Sequence, residues 1–299
     1  TPNHIAQCLV GSEICKRDSL TNVLDHTPFY AEMGGQVADH GLLTNEKGLS
    51  VRISDVQKTK DGKFMHIGVV ESGVIAVDDI VTAAINTARR QAIARSHTAT
   101  HLLQKALRMV LGTHVEQAGS YTDADHVRFD FTHFAAVTPE ELNQIEDIVN
   151  DAIFAAYPVI TEEMPIDEAK KRGAMALFGE KYGTVVRVVQ AGDFSIELCG
   201  GTHLTNTAQA GMFKIISESS VAAGVRRIEA LTGKGVLNFL QEKQSLILNA
   251  AQALKTTPHD LLDKVEQVLG ELRDSNKMGE PLNTKVANMP MIDLFNLSR

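Results

Sequence analysis

The chain has 299 residues, 43% hydrophobic and 22% charged, which is an ordinary globular balance and enough length for two or three domains. Its net charge of −8 excludes a general polyanion binder, so any contact with nucleic acid must come from local basic patches. No run of about 18 apolar residues is present and the chain opens Thr1-Pro2-Asn3-His4, so neither a membrane span nor a secretory leader is expected.

The first 86 residues read as short strands. Leu49–Val56, Phe64–Val70 and Ile80–Ile85 are apolar and β-branched, and turn sequences such as Asn45-Glu46-Lys47-Gly48 and Lys60-Asp61-Gly62 separate them. Strands at this spacing predict a small barrel-like domain over 1–86. From Thr87 to Leu111 there is no Gly or Pro, and Ile93, Leu103, Leu107 and Val110 recur at helical spacing until Gly112. Thr138, Pro139 and Glu141 write a capping box ahead of a second helix with the stripe Leu142, Ile145, Val149, Ala152, Ile153 and Ala156. Val185–Val189, Phe194–Leu198, Met212–Ser217 and Val225–Leu231 read as strands, which makes 87–235 an α+β domain. Two further stripes, Leu237, Leu240, Ile247, Ala251 and Leu254, then Leu261, Val265, Val268 and Leu272, predict a helical hairpin within 236–299. The last 20 residues carry no clear pattern. The fold class expected is therefore α+β, in three parts.

Two short motifs carry chemistry. In His97-Thr98-Ala99-Thr100-His101 the histidines at i and i+4 share one face of a helix, so both rings can reach one ion. In Cys199-Gly200-Gly201-Thr202-His203 a thiolate and an imidazole stand four apart, and the glycines are expected to let the backbone bend around the ion. Among 11 histidines the first spacing alone arises by chance, and a lone cysteine is more often a small buried hydrophobe. Together they offer one sulfur and three nitrogens, a set that suits a single Zn²⁺. Four protein ligands normally describe a structural site, whereas a catalytic one keeps a position open. The other cysteines, Cys8 and Cys15, lie far off in sequence; so sparse a count argues against disulfides and for a reducing, cytoplasmic setting. Basic clusters at Arg89, Arg90 and Arg95, at Lys170, Lys171 and Arg172, and at Arg226 and Arg227 are the candidate RNA contacts; most such clusters on an acidic chain are solvated faces.

The blocks FYAEMGGQ (29–36), HTATH (97–101), GTHVEQAGS (112–120), VRFDF (127–131), GAMALFGEKYG (173–183), GDFSIELCGGTH (192–203) and GVRRIEALTG (224–233) resemble, in order and spacing, the barrel and editing domains of bacterial alanyl-tRNA synthetases. The free-standing AlaX editing proteins share the GGQ, HxxxH and CxxxH elements. The match is good over about 20–235, and the helical tail loosely resembles the start of that family's C-terminal oligomerisation region. The resemblance implies that His97, His101, Cys199 and His203 hold zinc, that Thr100 and Gln117 read a serine hydroxyl, and that Gly34, Gly35 and Gln36, with Arg226 and Arg227, face the tRNA. It implies hydrolysis of seryl- or glycyl-tRNA(Ala) by a fragment that needs no ATP, the acceptor end of tRNA(Ala) as partner, and self-association through the C-terminal helices. The absence of an initial Met is expected for a piece of a longer polypeptide.

The physical need for such a site is clear: a pocket for alanine rejects glycine and serine poorly, and a second, hydrolytic site supplies the missing discrimination. The competing reading is a non-catalytic tRNA-binding and oligomerisation scaffold whose zinc is structural. An unrelated zinc protease is disfavoured because Thr98 stands where HExxH enzymes place their glutamate. No general base is evident beside the proposed zinc.

Overall fold

The computed structural model describes residues 3–10, 19–175 and 183–287. Cys15, most of the GAMALFGEKYG segment (176–182) and residues 288–299 lie outside the described residues. The described residues fall into two compact units divided between Val236 and Leu237.

The first unit opens with six antiparallel strands: β1 (Asn3–Val10), β2 (Ser19–Leu24), β3 (Gly41–Thr44), β4 (Ser50–Lys58), β5 (Phe64–Ser72) and β6 (Ile80–Ile85). They close into a barrel in the order β1-β2-β5-β4-β3-β6, with β1 pairing back onto β6 in the register Asn3↔Ala84 to Gln7↔Ile80. Alternation fills the interior. β4 buries Val51 and Ile53 and exposes Arg52 and Ser54, until a bulge between Ile53 and Asp55 shifts the parity and turns Val56 inward. Leu43, Val70, Val81 and Ala83 complete this core. Cys8 is buried here too, its thiol donating to Asn22 Oδ1 at 2.9 Å.

The helix α1 (Thr87–Leu111) follows directly. Asn86 caps it, its side-chain oxygen accepting from the Arg89 N–H at 3.0 Å, and Gly112 ends it at φ 113°. One stripe of α1 (Ala94, Ala99, Leu102, Leu103, Ala106 and Leu107) packs into a core shared with a four-stranded antiparallel sheet and α2 (Pro139–Phe154). That sheet runs β12-β13-β8-β7, from β7 (Gln117–Thr122), β8 (Val127–Thr132), β12 (Phe213–Ala222) and β13 (Val225–Thr232). Both halves of the capping box on α2 form: Thr138 Oγ1 accepts from the Glu141 N–H at 3.2 Å, and Glu141 Oε2 accepts from the Thr138 N–H at 2.8 Å. A smaller sheet, β11-β10-β9, with β9 (Val159–Pro165), β10 (Val185–Ala191) and β11 (Ser195–Leu198), carries its own core of Met164, Val186, Val188 and Leu198, with Ala169 of α3 (Ile166–Lys171).

The barrel is fastened to α1 by polar groups. Arg90 makes a bidentate pair with Asp39 and also donates to the Pro28 carbonyl at 2.9 Å, while Arg89 donates to the Ala38 carbonyl at 2.6 Å. The Asp39 side chain is only 2% exposed, and stripping one partner from such a pair costs about 3–5 kcal/mol. The barrel loop also reaches β7: Gly35 accepts from the Thr122 N–H at 2.8 Å, and Val37 donates to Thr122 at 3.2 Å. Gly35 sits at φ +80°, and a Cβ there would strike the carbonyl of Ser120.

The second unit holds most of α4 (Lys234–Ala253), which matches the stripe Leu237–Leu254, and α5 (Leu261–Ala287), which starts where its stripe does. α5 continues to Ala287, beyond the point where the sequence pattern fades.

His66 tests the barrel interior. Its Nδ1–H donates to the Asn22 carbonyl at 3.2 Å, and its Nε2 lies 2.7 Å from the Thr27 hydroxyl, which can donate to it when the ring is neutral. Burial pulls its pKa from 6.5 to about 4. A depressed histidine pKa means that the unfolded chain takes up the proton first, so stability is full above pH 6.5 and is lost as pH falls toward 4. Relative to His66→Gln, the wild type loses about 2 kcal/mol more stability between pH 7 and pH 5 in urea unfolding. Parallel pH profiles for the two proteins would refute this.

Candidate metal centre

Helix α1 presents a second, polar stripe: His97, Thr98, Thr100 and His101 are all buried. A buried polar stripe requires partners, and each finds one. Thr100 donates to the Ser96 carbonyl at 2.9 Å. The loop after β11 lies against this stripe and brings Cys199 and His203 to it. The ligating atoms of His97, His101, Cys199 and His203 all fall within 4.8 Å of one another. Cys199 Sγ is 3.4 Å from His97 Nε2 and 3.3 Å from His203 Nε2. The four predicted ligands therefore converge. Cys8 takes no part, being inside the barrel.

Each ring is held by its outer nitrogen. His97 Nδ1 donates to Gln36 Oε1 at 2.7 Å, His101 Nδ1 meets Glu197 Oε2 at 2.5 Å, and His203 Nδ1 meets Thr98 Oγ1 at 3.2 Å. That leaves three Nε2 atoms facing the sulfur. His101 Nε2 is buried without any hydrogen-bond partner, an orphaned polar atom that a cation would satisfy. A sulfur with three imidazoles, each steadied by a carboxylate, amide or hydroxyl, is the donor set and support that zinc takes. The residues fit one ion of that kind.

The electrostatics agree. Burial pushes the Cys199 thiol up, but the neighbouring His97 and His101 rings and the hydrogen bond with His203 hold it well below the usual thiol range. Burial opposes charge on His101, yet the Glu197 carboxylate and the Cys199 sulfur keep its pKa well above the ordinary value. Burial, with the His97 ring beside it, drops His203 to about 3, so that ring is a neutral donor.

The cluster opens on a cavity of about 290 Å³ lined by Tyr30, Met33, Gly34, Thr100, Gln117 and Ser120, among others. Thr100 and Gln117 thus stand beside the cluster, with Gln117 Nε2 donating to Ser120 Oγ at 3.2 Å. Gly34 lines the same cavity from the barrel side. Gln36 is fully buried; it also accepts from the Thr202 N–H at 2.8 Å and donates to Thr202 Oγ1 at 2.9 Å. Arg226 and Arg227 are elsewhere, on β13. Arg226 pairs with Glu218 at 2.5 and 2.6 Å, and Arg227 with Asp130 at 2.7 and 2.8 Å. Neither lines the cavity.

The glycines of the Cys199 loop act differently from expectation. Neither has a positive φ; Gly201 is needed because a Cβ there would collide with the His97 ring and press on Gln36. Sequence reasoning also missed Glu197 and Thr98. Glu197 had a legible signal: a carboxylate inside the short strand Ser195–Leu198, two residues before a ligand. Arg187, which donates to the carbonyls of Cys199 and Gly201, gave no such sign.

Two families match parts of the chain. The Threonyl and Alanyl tRNA synthetase second additional domain covers residues 186–229, which include Cys199 and His203. The class II (A) tRNA synthetases cover 7–89, most of the barrel. Alanine-tRNA ligase of Acetivibrio thermocellus is 54% identical over 286 residues, 96% of this chain and 32% of that protein. The chain is homologous to a segment of alanine-tRNA ligase. The Bacillus subtilis ligase is 51% identical over 91% of this chain and 31% of its own length, and that of Bacillus velezensis 49% over 93% and 32%. The chain thus spans about a third of the length of these alanine-tRNA ligases. Neither family match reaches His97 or His101, but the alignments to the ligases extend over nearly the whole chain.

Gln36 is the one outer support contributed by the barrel. Gln36→Ala lowers zinc affinity about 10- to 100-fold in competition with a chromogenic chelator, by freeing the His97 ring to turn. An unchanged Kd would show that the His97 ring is fixed without it.

Proposed function

We propose that this chain is an editing module that hydrolyses the ester of seryl-tRNA(Ala), and of glycyl-tRNA(Ala), at a single zinc ion held by His97, His101, Cys199 and His203. The observation that carries the reading is the convergence of these four side chains beside a cavity that His97, His101, Cys199, Thr100 and Gln117 line. In this reading 1–86 is the barrel domain, 87–235 the editing domain and 236–299 a helical region with α4 and α5 as a hairpin.

Bound there, zinc supplies a Lewis acid for an ester carbonyl and an anchor for the substrate. The chain's own residues do the rest. Gln36, Glu197 and Thr98 fix the three rings. Thr100 and Gln117 hydrogen-bond the serine hydroxyl, and a site built around that bond disfavours the alanyl ester, which would leave those groups unpaired. Tyr30, whose phenol is pushed up by burial and by the Cys199 charge, stays protonated and donates to the Met33 carbonyl at 3.1 Å, shaping the barrel-side wall. Water adds across the ester and releases the amino acid and the ribose hydroxyl, a downhill step that needs no ATP. Among the described residues Glu197 is the carboxylate lining the cavity, and it is committed to His101 and to Ser195 Oγ at 3.2 Å.

The acceptor end of tRNA(Ala) is the proposed partner, with Gly34 and Gly35 at the entrance and Gln36 acting behind them. Arg226 and Arg227 would contribute field rather than bare cations, being paired already. The apolar stripe on α4 and α5 supports self-association: Leu240, Ile247, Leu262 and Leu272 are all exposed. Leu240→Glu with Leu262→Glu should reduce the sedimenting mass to that of one chain if so. The scaffold reading draws on the complete set of four ligands, which resembles a structural site.

A time course with labelled seryl-tRNA(Ala) and zinc-loaded protein decides between them. Deacylation is expected for seryl and glycyl esters, with alanyl-tRNA(Ala) largely spared; Cys199→Ala abolishes it, and Gln117→Ala narrows the gap between serine and alanine. Rates fall steeply with salt, because phosphates dominate the contact. No deacylation above the buffer rate with zinc bound would establish the scaffold.

A further inference from the structure

Gln104 stands apart from every other polar group of the cavity. It lies on the same α1 stripe as His97, Thr100 and His101, at i+7, i+4 and i+3 from them, and lines the same cavity. It is 7% exposed, and its side-chain oxygen is buried without a hydrogen-bond partner. Its amide nitrogen has no partner among the described residues either. Such a group weakens the fold, and an apolar side chain of equal length would remove the penalty. Its neighbours Leu103 and Leu107 are core residues, so nothing in the helix calls for an amide here.

Among the described residues, the cavity's other polar side chains each have at least one protein partner, and Thr100 and Gln117 are the pair read above as meeting a serine hydroxyl. Glu197 serves His101 and Ser195, Arg187 serves the Cys199 and Gly201 carbonyls, Thr100 serves Ser96, Tyr30 serves Met33, and Gln117 is bonded to Ser120. An aminoacyl ester brings one group that needs an acceptor whatever its side chain: the α-ammonium. A carboxamide can turn end for end and present its oxygen. Gln104 also stands about 4.5 Å along the helix axis from His101, close to the cluster where the ester is read as bound.

We propose that the Gln104 carboxamide oxygen accepts a hydrogen bond from the free α-amino group of the esterified amino acid, so that the site takes aminoacyl esters and rejects N-acylated ones. The inference rests on the hydrolytic reading above. It assigns Gln104 a role distinct from that of Gln117: one recognises what all aminoacyl esters share, the other what distinguishes serine.

The test uses the zinc-loaded full chain with seryl-, glycyl- and N-acetyl-seryl-tRNA(Ala). Wild type cleaves the N-acetyl ester at least about 10-fold more slowly than the free-amine ester. Gln104→Met lowers kcat/KM on the seryl and glycyl esters by the same factor, about 10- to 100-fold, the worth of a charge-assisted hydrogen bond, and leaves the N-acetyl ester unchanged. Its unfolding midpoint rises and its zinc content stays the same, because an unpaired amide has been removed. Gln104→Glu, which keeps an acceptor, retains activity on free-amine esters within a few-fold. Equal losses on free and N-acetylated esters, unequal losses on seryl and glycyl esters, full activity of Gln104→Met, a lowered midpoint, or loss of activity in Gln104→Glu would each overturn the proposal. Wild type that cleaves seryl-tRNA(Ala) alongside such a result removes this inference alone, whereas wild type inactive on every ester removes the hydrolytic reading with it.

Discussion

An imidazole can turn only one nitrogen toward an ion, and the bond made by the other nitrogen decides where the ring points. In this protein those outer bonds come from three separate places: Gln36 in the barrel loop, Thr98 on α1 itself, and Glu197 on β11. The cluster is therefore as well ordered as the seating of the barrel against α1. That seating rests on Arg90 with Asp39, on Arg89 with the Ala38 carbonyl, and on the backbone bonds between Gly35, Val37 and Thr122. A small barrel beside a metal-type cluster is thus part of the cluster's support.

Helix α1 serves two environments at once. One stripe of Leu and Ala residues fills the core against β8, β13 and α2, and the adjacent stripe carries buried histidines and threonines. A polar stripe at this depth is stable only if every member is partnered, and most are: Thr98 between His203 and the Leu204 N–H, Thr100 on Ser96, Ser96 against Thr232. The exceptions, His101 Nε2 and the Gln104 amide, mark where the structure leaves room for something that is not protein.

The arginines show how tertiary pairing changes the meaning of a basic cluster. Arg227 stands directly opposite Asp130 in the β13–β8 register, and Arg226 reaches diagonally to Glu218 on β12. Both pairs tie strands of one sheet together. Arg172, at the end of α3, is likewise paired, with Glu162 of β9 and Glu168 of α3, whereas Lys170 and Lys171 of that cluster remain exposed. Among the described residues Arg52 and Arg90 pair with carboxylates as well, whereas Arg89, Arg95 and Arg187 donate to backbone carbonyls.

Local chemistry made much of this protein legible from its sequence. The absence of Gly and Pro between Thr87 and Leu111, the capping box at Thr138, and the β-branched alternation of Ile80–Ile85 act over a few residues, and those elements formed where periodicity placed them. The HxxxH spacing put two rings on one face of α1, so with the CxxxH pair the four side chains that converge could be named. β7, with the weakly apolar run Gln117–Thr122, and β9, with Glu162 and Glu163, carry little apolar alternation and are strands because of what they pair with. Only the tertiary structure decided that Gln36 turns inward to His97, that Glu197 supports His101, and that Arg226 and Arg227 are paired. Those bonds join residues 61, 96, 8 and 97 positions apart, and which side chain meets which across such distances is set by sheet register and the docking of the barrel, not by any pattern within a few residues.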